Sequence, residues 1–288
     1  MKPLLPTLRE RLRHLPRRSY ALTKWRLLRR MDRDREDPIV VFCMSKTASS
    51  AIVRAVQHCL HRPVYKVHLL TPVAVARVEA QYRRTDPTAR PRHILHASHL
   101  LRRPPTTEHP WTVVTIVREP IGRSASDFFQ SGARLGRLGD APTTIAAFVR
   151  FATAQGIPRT IAWFDRELRV SLGINVYEHP FDPATGYAII ETPSVRLLIL
   201  RQESLDVAPQ ALGHFLGLPE PLVLARENDA ARKPYSALYN TVLSEARVSQ
   251  RTLDLAYTSR FAQHFYSPAE LAGFRTRWGT PSPSRPPS

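Results

Sequence analysis

Arg118 and Ser126, eight residues apart, carry the first chemical signal in this chain. A guanidinium fork beside a hydroxyl near a helix start makes a pocket for a phosphate-like anion. The fork matches two oxygens at once, and the first helical turn adds N–H groups and a positive dipole end. A second signal lies upstream in Ser45-Lys46-Thr47-Ala48-Ser49-Ser50, a run of small residues around one lysine. Small residues let the backbone wrap an anion, the lysine adds a point charge, and the hydroxyls of Thr47, Ser49 and Ser50 can donate. The run holds no glycine, so it is not the G-x-x-x-x-G-K-[ST] nucleotide loop. Its plain alternative is an N-cap serine ahead of an ordinary helix.

Both signals need the same support of strand, loop and helix. Ile39–Phe42 is apolar and β-branched enough for a central strand, and Ile52, Val53, Val56, Cys59 and Leu60 mark the helix after the lysine loop. Val113, Val114, Ile116 and Val117 form the strand that Arg118 ends. Pro120 suits a first helical turn, where its missing N–H has no partner to lose. Ile121, Ala125, Phe128 and Phe129 then recur at helical spacing, with Ser124 and Ser126 on other faces. Further strands are predicted at Val64–Val67 and His93–His96, with a helix over 73–83 between them. Residues 143–172 read as two helices around Gly156-Ile157-Pro158. A hairpin follows at Tyr187–Glu191 and Val195–Leu200, then a helix over 205–216, a basic polar loop at 226–234 and mostly helix to Trp278. Strands alternating with helices predict an α/β fold with a central, mostly parallel sheet flanked by helices.

The pair of anion sites resembles the sulfotransferase superfamily, in which a lysine-bearing loop follows the first strand and an arginine and serine follow a later one. The resemblance implies a three-layer P-loop-type fold and the co-substrate 3′-phosphoadenosine-5′-phosphosulfate (PAPS). Ser45, Lys46, Thr47, Ala48, Ser49 and Ser50 would contact its 5′ end, Arg118 and Ser126 its 3′-phosphate, and Arg232 and Lys233 would close over that phosphate. The chain is still more similar to the bacterial capsular polysaccharide synthesis group of sulfotransferase-like proteins (the N-K-W-Y-S type). That likeness runs through VYKVHLL at 64–70, REPIGRSASDFFQ at 118–130, GINVYEHPFD at 173–182, LILRQESL at 198–205, KPYSALY at 233–239 and HFYS at 264–267. It covers roughly residues 37–278 and implies a carbohydrate acceptor. Three departures stand out. Glycines common in the first loop are Ser45 and Ala48 here, and a Cβ there resists positive φ. A frequent histidine is replaced by Lys66. The N-K-W-Y-S stretch reads Ala231-Arg232-Lys233-Pro234-Tyr235-Ser236, with proline for tryptophan.

Sulfuryl transfer to an alcohol needs a base at the acceptor hydroxyl and positive charge on the leaving phosphate, and it needs no metal. Histidine suits the first task, with an ordinary pKa of about 6.5, and Lys46 the second. His68 ends the second predicted strand. His96 closes the third, 22 residues before Arg118, and His99 follows it. His68 and His96 rank together as the base, ahead of His99, and the plain reading of each is a hydrogen-bonded rim histidine. Arg201 and Glu203 read as a structural ion pair, Asp127 as a partner of a nearby arginine, and Tyr235 and Tyr239 as core.

Composition bounds the rest. With 42 Lys/Arg against 24 Asp/Glu the formal charge of the 288 residues is +18. The first 36 residues hold 12 basic and 4 acidic side chains, so +8 sits in a leader, residues 1–36. That leader reads as a solvated helix packed on the body, with an anionic membrane surface as its alternative partner. The folded domain is assigned to 37–278 and a Pro/Ser-rich disordered tail to 279–288. Cys43 and Cys59 read as two buried thiols of one strand–helix unit. No signal peptide or 18-residue apolar run is visible, which makes the cytoplasm the default, with the inner membrane surface as a peripheral site. Two other functions compete. A nucleotide-dependent kinase is disfavoured by the absence of Walker glycines and of an Asp-rich strand end for magnesium. A basic nucleic-acid or membrane-surface binder fits the charge, but no RNP-type motif occurs, so no nucleic-acid partner is expected. Oligomeric state is not legible.

Overall fold

The computed structural model describes residues 36–60, 62–85, 91–134, 136, 138–224 and 234–280. The leader up to residue 35, the loop at 225–233 with Arg232 and Lys233, and the tail from 281 lie outside the described residues. Five strands, β1 (Ile39–Phe42), β2 (Val64–Val67), β3 (Trp111–Val117), β4 (Tyr187–Glu191) and β5 (Val195–Arg201), form one sheet in the order β2-β1-β3-β5-β4. All neighbours run parallel except β4, which pairs antiparallel with β5 as the predicted hairpin.

Alternation along the strands divides the core in two. Val40, Phe42, Val113, Val117, Leu197 and Ile199 point to one face, and Ile39, Val41, Val114, Ile116, Leu198 and Leu200 to the other. The second face is covered by α1 (Ser49–Cys59), through Ile52, Ala55 and Val56, and by a later helix at Ala208–Leu216, through Ala211, Leu212 and Phe215. The first face carries the larger layer, including α4 (Pro120–Arg134) and the helices from Ser236 to Trp278. Between β2 and β3 lie α2 (Pro72–Thr85) and α3 (Arg92–Leu100). Among the described residues no helix is long and apolar enough to cross a membrane.

Four expectations are corrected. His93–His96 is not a strand but part of α3. Four residues cannot distinguish the two periods, and the outward edge of β2 is capped by this helix rather than extended by a strand. Residues 143–172 do not break at Gly156. Helix Ala141–Phe151 runs on through a π-turn at Ala152–Gly156 into Ile157–Ile161, and a second π-turn at Phe164–Leu168 leads into Arg169–Leu172. The Ile157 N–H bonds to the Ala152 carbonyl, five residues back, and this wider turn admits Pro158 without a clash. Gly156 is there for close approach: a Cβ would lie 2.5 Å from the hydroxyl of Ser124. Ser124 itself is fully buried, donating to the Pro120 carbonyl at 2.7 Å. Cys43 is buried as expected, but Cys59 is exposed because it ends α1 beyond the last residues that reach the sheet. Arg201 pairs with Glu270 at 2.8 Å and not with Glu203, since its strand turns it toward Ser267–Glu270, the capped start of the last helix.

Candidate functional site

The register of the parallel strands brings four chain exits to one edge: Lys46 after β1, His68 after β2, Arg118 after β3 and Gln202 after β5. The chain leaves β1 first for β2 and later for β3 on its other side. The crevice between those connections is where open α/β sheets bind ligands. A cleft of about 290 Å³ opens there. Ser45, Lys46, Ala48, Ser49 and Ser50 line it together with Arg118, Ser126, Lys66 and His68; Ala51, Gln130 and Gln202 complete the wall. Three of these side chains are cationic and none is a carboxylate.

The lysine loop holds an unusual backbone. Lys46 and Ala48 both take positive φ, 73° and 59°, the region glycine tolerates and a Cβ resists. Strain of that kind persists only where neighbours over-determine it. Here Thr47, fully buried, turns inward and donates to the Met44 carbonyl at 2.9 Å, so it holds the loop rather than lining the cleft. The Arg118 guanidinium donates to the Lys46 carbonyl at 3.2 Å, tying the two anion signals together. Lys46 Nζ contacts the Gln130 side chain across the cleft, and Lys66 Nζ donates to Ser50 Oγ at 2.8 Å. Arg123, nearly buried beneath the loop, donates to the Ser45 carbonyl at 3.2 Å and forms an ion pair with Asp127 at 3.5 Å.

The three histidines part company. His68 lines the cleft, with Nδ1 2.8 Å from the Cys43 carbonyl oxygen. A carbonyl only accepts, so Nδ1 carries the proton and Nε2 the lone pair. Burial, with the charges of Lys66, His93 and Arg123 adding to it, lowers its pKa to about 4 and keeps the ring neutral near pH 7. His96 lies outside the cleft. Its Nδ1 accepts the Lys66 backbone N–H at 2.9 Å and sits 3.2 Å from the Lys66 carbonyl, plugging the outward polar groups of edge strand β2. Its pKa is likewise lowered to about 4, chiefly by burial. His99 is buried against Tyr65, ring centroids 5.1 Å apart, and borders a separate cavity with His109 and Trp111.

His68 is held from two sides. The Trp163 indole N–H donates to its carbonyl at 3.0 Å, and Glu167 accepts the N–H groups of Leu70 and Thr71 at 2.8 and 3.2 Å. Both supports sit on the π-turned helical run. Beside Arg118, the buried Glu119 accepts the N–H of Ile121 at 2.8 Å, that of Gly122 and the hydroxyl of Tyr257, an anionic cap on the start of α4. Gly122 has no room for a Cβ, which would lie 2.7 Å from the Glu119 carboxylate. Glu203 receives the Glu119 N–H at 2.8 Å and the Tyr266 hydroxyl at 3.1 Å. Desolvation raises its pKa, with the nearby Glu119 charge adding to the effect. Tyr239 is buried and Tyr235 half-buried, both against Phe129.

Arg123 and Glu119 were passed over in the sequence, and Lys66 stood there only as a departure from a frequent histidine. Lys66 carried a usable signal, since strand alternation puts it on the same side as His68. Arg123 and Glu119 carried none, because a charged residue in a helix start reads as solvated until its burial is known.

Comparison with family models matches residues 148–267, less than half of the chain, to the family described as "Putative capsular polysaccharide synthesis protein". The matched segment contains the supports of His68 and the cleft residue Gln202, but not the lysine loop or Arg118. Comparison with curated proteins and with solved structures returned no match.

Proposed function

We propose that this protein is an enzyme that transfers a sulfuryl group from PAPS to a hydroxyl of a carbohydrate or glycolipid acceptor in the making of a cell-surface polysaccharide. The observation that carries the proposal is the single cleft shared by the lysine loop and the Arg118–Ser126 helix start. Its donor set suits a polyanion carrying phosphates at two ends: three cations, four serine hydroxyls and no carboxylate line it. The acceptor class rests on the family match to residues 148–267.

In this reading His68 Nε2 takes the proton of the acceptor hydroxyl as its oxygen bonds to sulfur. Lys46 stabilises the charge that gathers on the bridging oxygen as the sulfur–oxygen bond to the phosphate breaks, and Lys66 balances the equatorial oxygens. The products are a sulfate ester and adenosine 3′,5′-bisphosphate. Arg118 and Ser126 hold the 3′-phosphate, far from the reacting atoms, so they contribute binding and positioning. Lys66 also lowers the proton affinity of His68; a bound polyanion offsets that charge and makes Nε2 a better base.

Calorimetric titration with adenosine 3′,5′-bisphosphate beside ATP tests the donor. Preferential binding of the bisphosphate, lost in Arg118→Ala, supports the proposal. A preference for ATP, or bisphosphate binding indifferent to Arg118, overturns it.

A further inference from the structure

Arg123 stands outside the cleft, yet it holds the lysine loop through both the carbonyl and the hydroxyl of Ser45. Its side chain is 7% exposed, and all three guanidinium nitrogens are engaged. Nε donates to the Ser45 carbonyl at 3.2 Å, and Nη2 to the Ser45 hydroxyl at 3.3 Å. Nη1 donates to Thr160 Oγ1 at 3.0 Å, and Thr160 in turn donates to the Gly156 carbonyl at 2.8 Å. Asp127, one helical turn along α4, supplies the counter-charge at 3.5 Å.

We infer that Arg123 is a positioning residue for anion binding, which fixes the glycine-free loop and sets the Ser45 hydroxyl as a donor into the cleft. Ser45 links the clamp to the cleft. A guanidinium has no lone pair to offer, so Ser45 Oγ accepts from it and its own proton is directed elsewhere. Ser45 lines the cleft, where that proton meets a ligand oxygen. The same guanidinium anchors the Ser45 carbonyl immediately before Lys46, the first of the two positive-φ residues. A loop of glycines would reach this shape without help. This one has a buried clamp, braced through Thr160 on the π-turned run. Lysine cannot replace it, because one ammonium cannot span Ser45 carbonyl, Ser45 hydroxyl and Thr160 in a fixed plane.

The inference concerns the loop and does not require PAPS, so its test uses inorganic pyrophosphate as the probe, with adenosine 3′,5′-bisphosphate in parallel. Arg123→Met should weaken pyrophosphate binding by roughly tenfold to a hundredfold, as expected for losing one or two charge-assisted contacts. Ser45→Ala should weaken it less and add little to Arg123→Met, because both act through one hydroxyl. Added guanidinium ion should restore part of the affinity of Arg123→Met but none of that of Ser45→Ala. Arg123→Lys keeps the charge and should still lose affinity; it carries the contrast if the methionine variant does not fold. A folded Arg123→Met or Arg123→Lys that binds pyrophosphate like the parent overturns the inference, as does full additivity with Ser45→Ala. Arg123-dependent pyrophosphate binding without bisphosphate binding would sustain this inference and remove the proposed donor. Wild-type protein that binds neither anion would overturn both.

Discussion

Replacing Ala48 with glycine should stabilise this protein, although the change deletes a side chain that lines the cleft. Ala48 is the N-cap of α1, sits at φ 59° and ψ 13°, and makes no side-chain capping bond. The left-handed conformation costs a residue with a Cβ about 1–2 kcal/mol. Glycine removes that cost but gives back about 0.5–1 kcal/mol through its greater freedom in the unfolded chain. Glycine is also better than alanine at an N-cap by some tenths of a kcal/mol or more. The balance favours Ala48→Gly by roughly 0.5–1 kcal/mol, which for a domain of this size is a rise in Tm of a few degrees. Thermal denaturation followed by circular dichroism reads it directly. Lys46→Gly makes a useful partner: it relieves φ 73° in the same way but deletes a cleft cation, so stability should rise while anion affinity falls. A lower Tm for Ala48→Gly would refute the reasoning. It would mean that the loop is not strained at this residue and that the Arg123, Thr47 and Arg118 bonds hold a relaxed shape.

Three further outcomes follow from the histidines. His68→Asn keeps a side-chain N–H for the Cys43 carbonyl and removes the lone-pair nitrogen. It should leave bisphosphate affinity intact and slow sulfuryl transfer by about 10²–10⁴-fold, measured as turnover at saturating donor. His96→Phe preserves the ring but leaves the Lys66 N–H without its acceptor, and should cost about 1–2 kcal/mol in chemical denaturation with binding retained by the folded protein. Acid should weaken the fold through both residues. Their folded pKa of about 4 lies below the ordinary 6.5, so between those values the unfolded chain takes up protons that the folded chain refuses. Stability should therefore be unaffected by these groups above pH 6.5. It should fall as pH drops toward 4, by at most about 3 kcal/mol for each, and His96→Phe should flatten that slope in urea titrations across the range.

The parts of the site that the sequence made legible are those built by local rules. Lys46 and Arg118 each follow a β-branched run and precede a helical repeat, and strand exits of parallel sheets share an edge, so their meeting was foreseeable from the order of elements. The placement of the histidines was not. His93-Ile94-Leu95-His96 is too short to separate a strand from a helix, and the answer lay in the edge of β2, which accepted an imidazole where a strand was expected. The π-turns were invisible for a related reason. Gly156-Ile157-Pro158 has the composition of a break, yet the helix runs on through the wider turn, with Ser124 packed close against Gly156. Arg123 and Glu119 were passed over, and Glu203 was given the wrong partner, because a sequence shows charge but not depth. Ala48 ran the other way: the missing glycine argued against a positive φ, whereas the chain adopts the left-handed turn regardless.

The suspension of His68 from Trp163 and Glu167 limits how this family of shapes can vary. Those two supports lie four residues apart on a run whose pitch includes two widened turns. One inserted or deleted residue ahead of them would swing both by about 100° around the axis. The indole and carboxylate would then face away from the 68–71 bend, and the imidazole would lose its footing. Length in the 152–167 span is thus as fixed as the identity of the cleft residues themselves, though no atom of that span needs to touch a substrate.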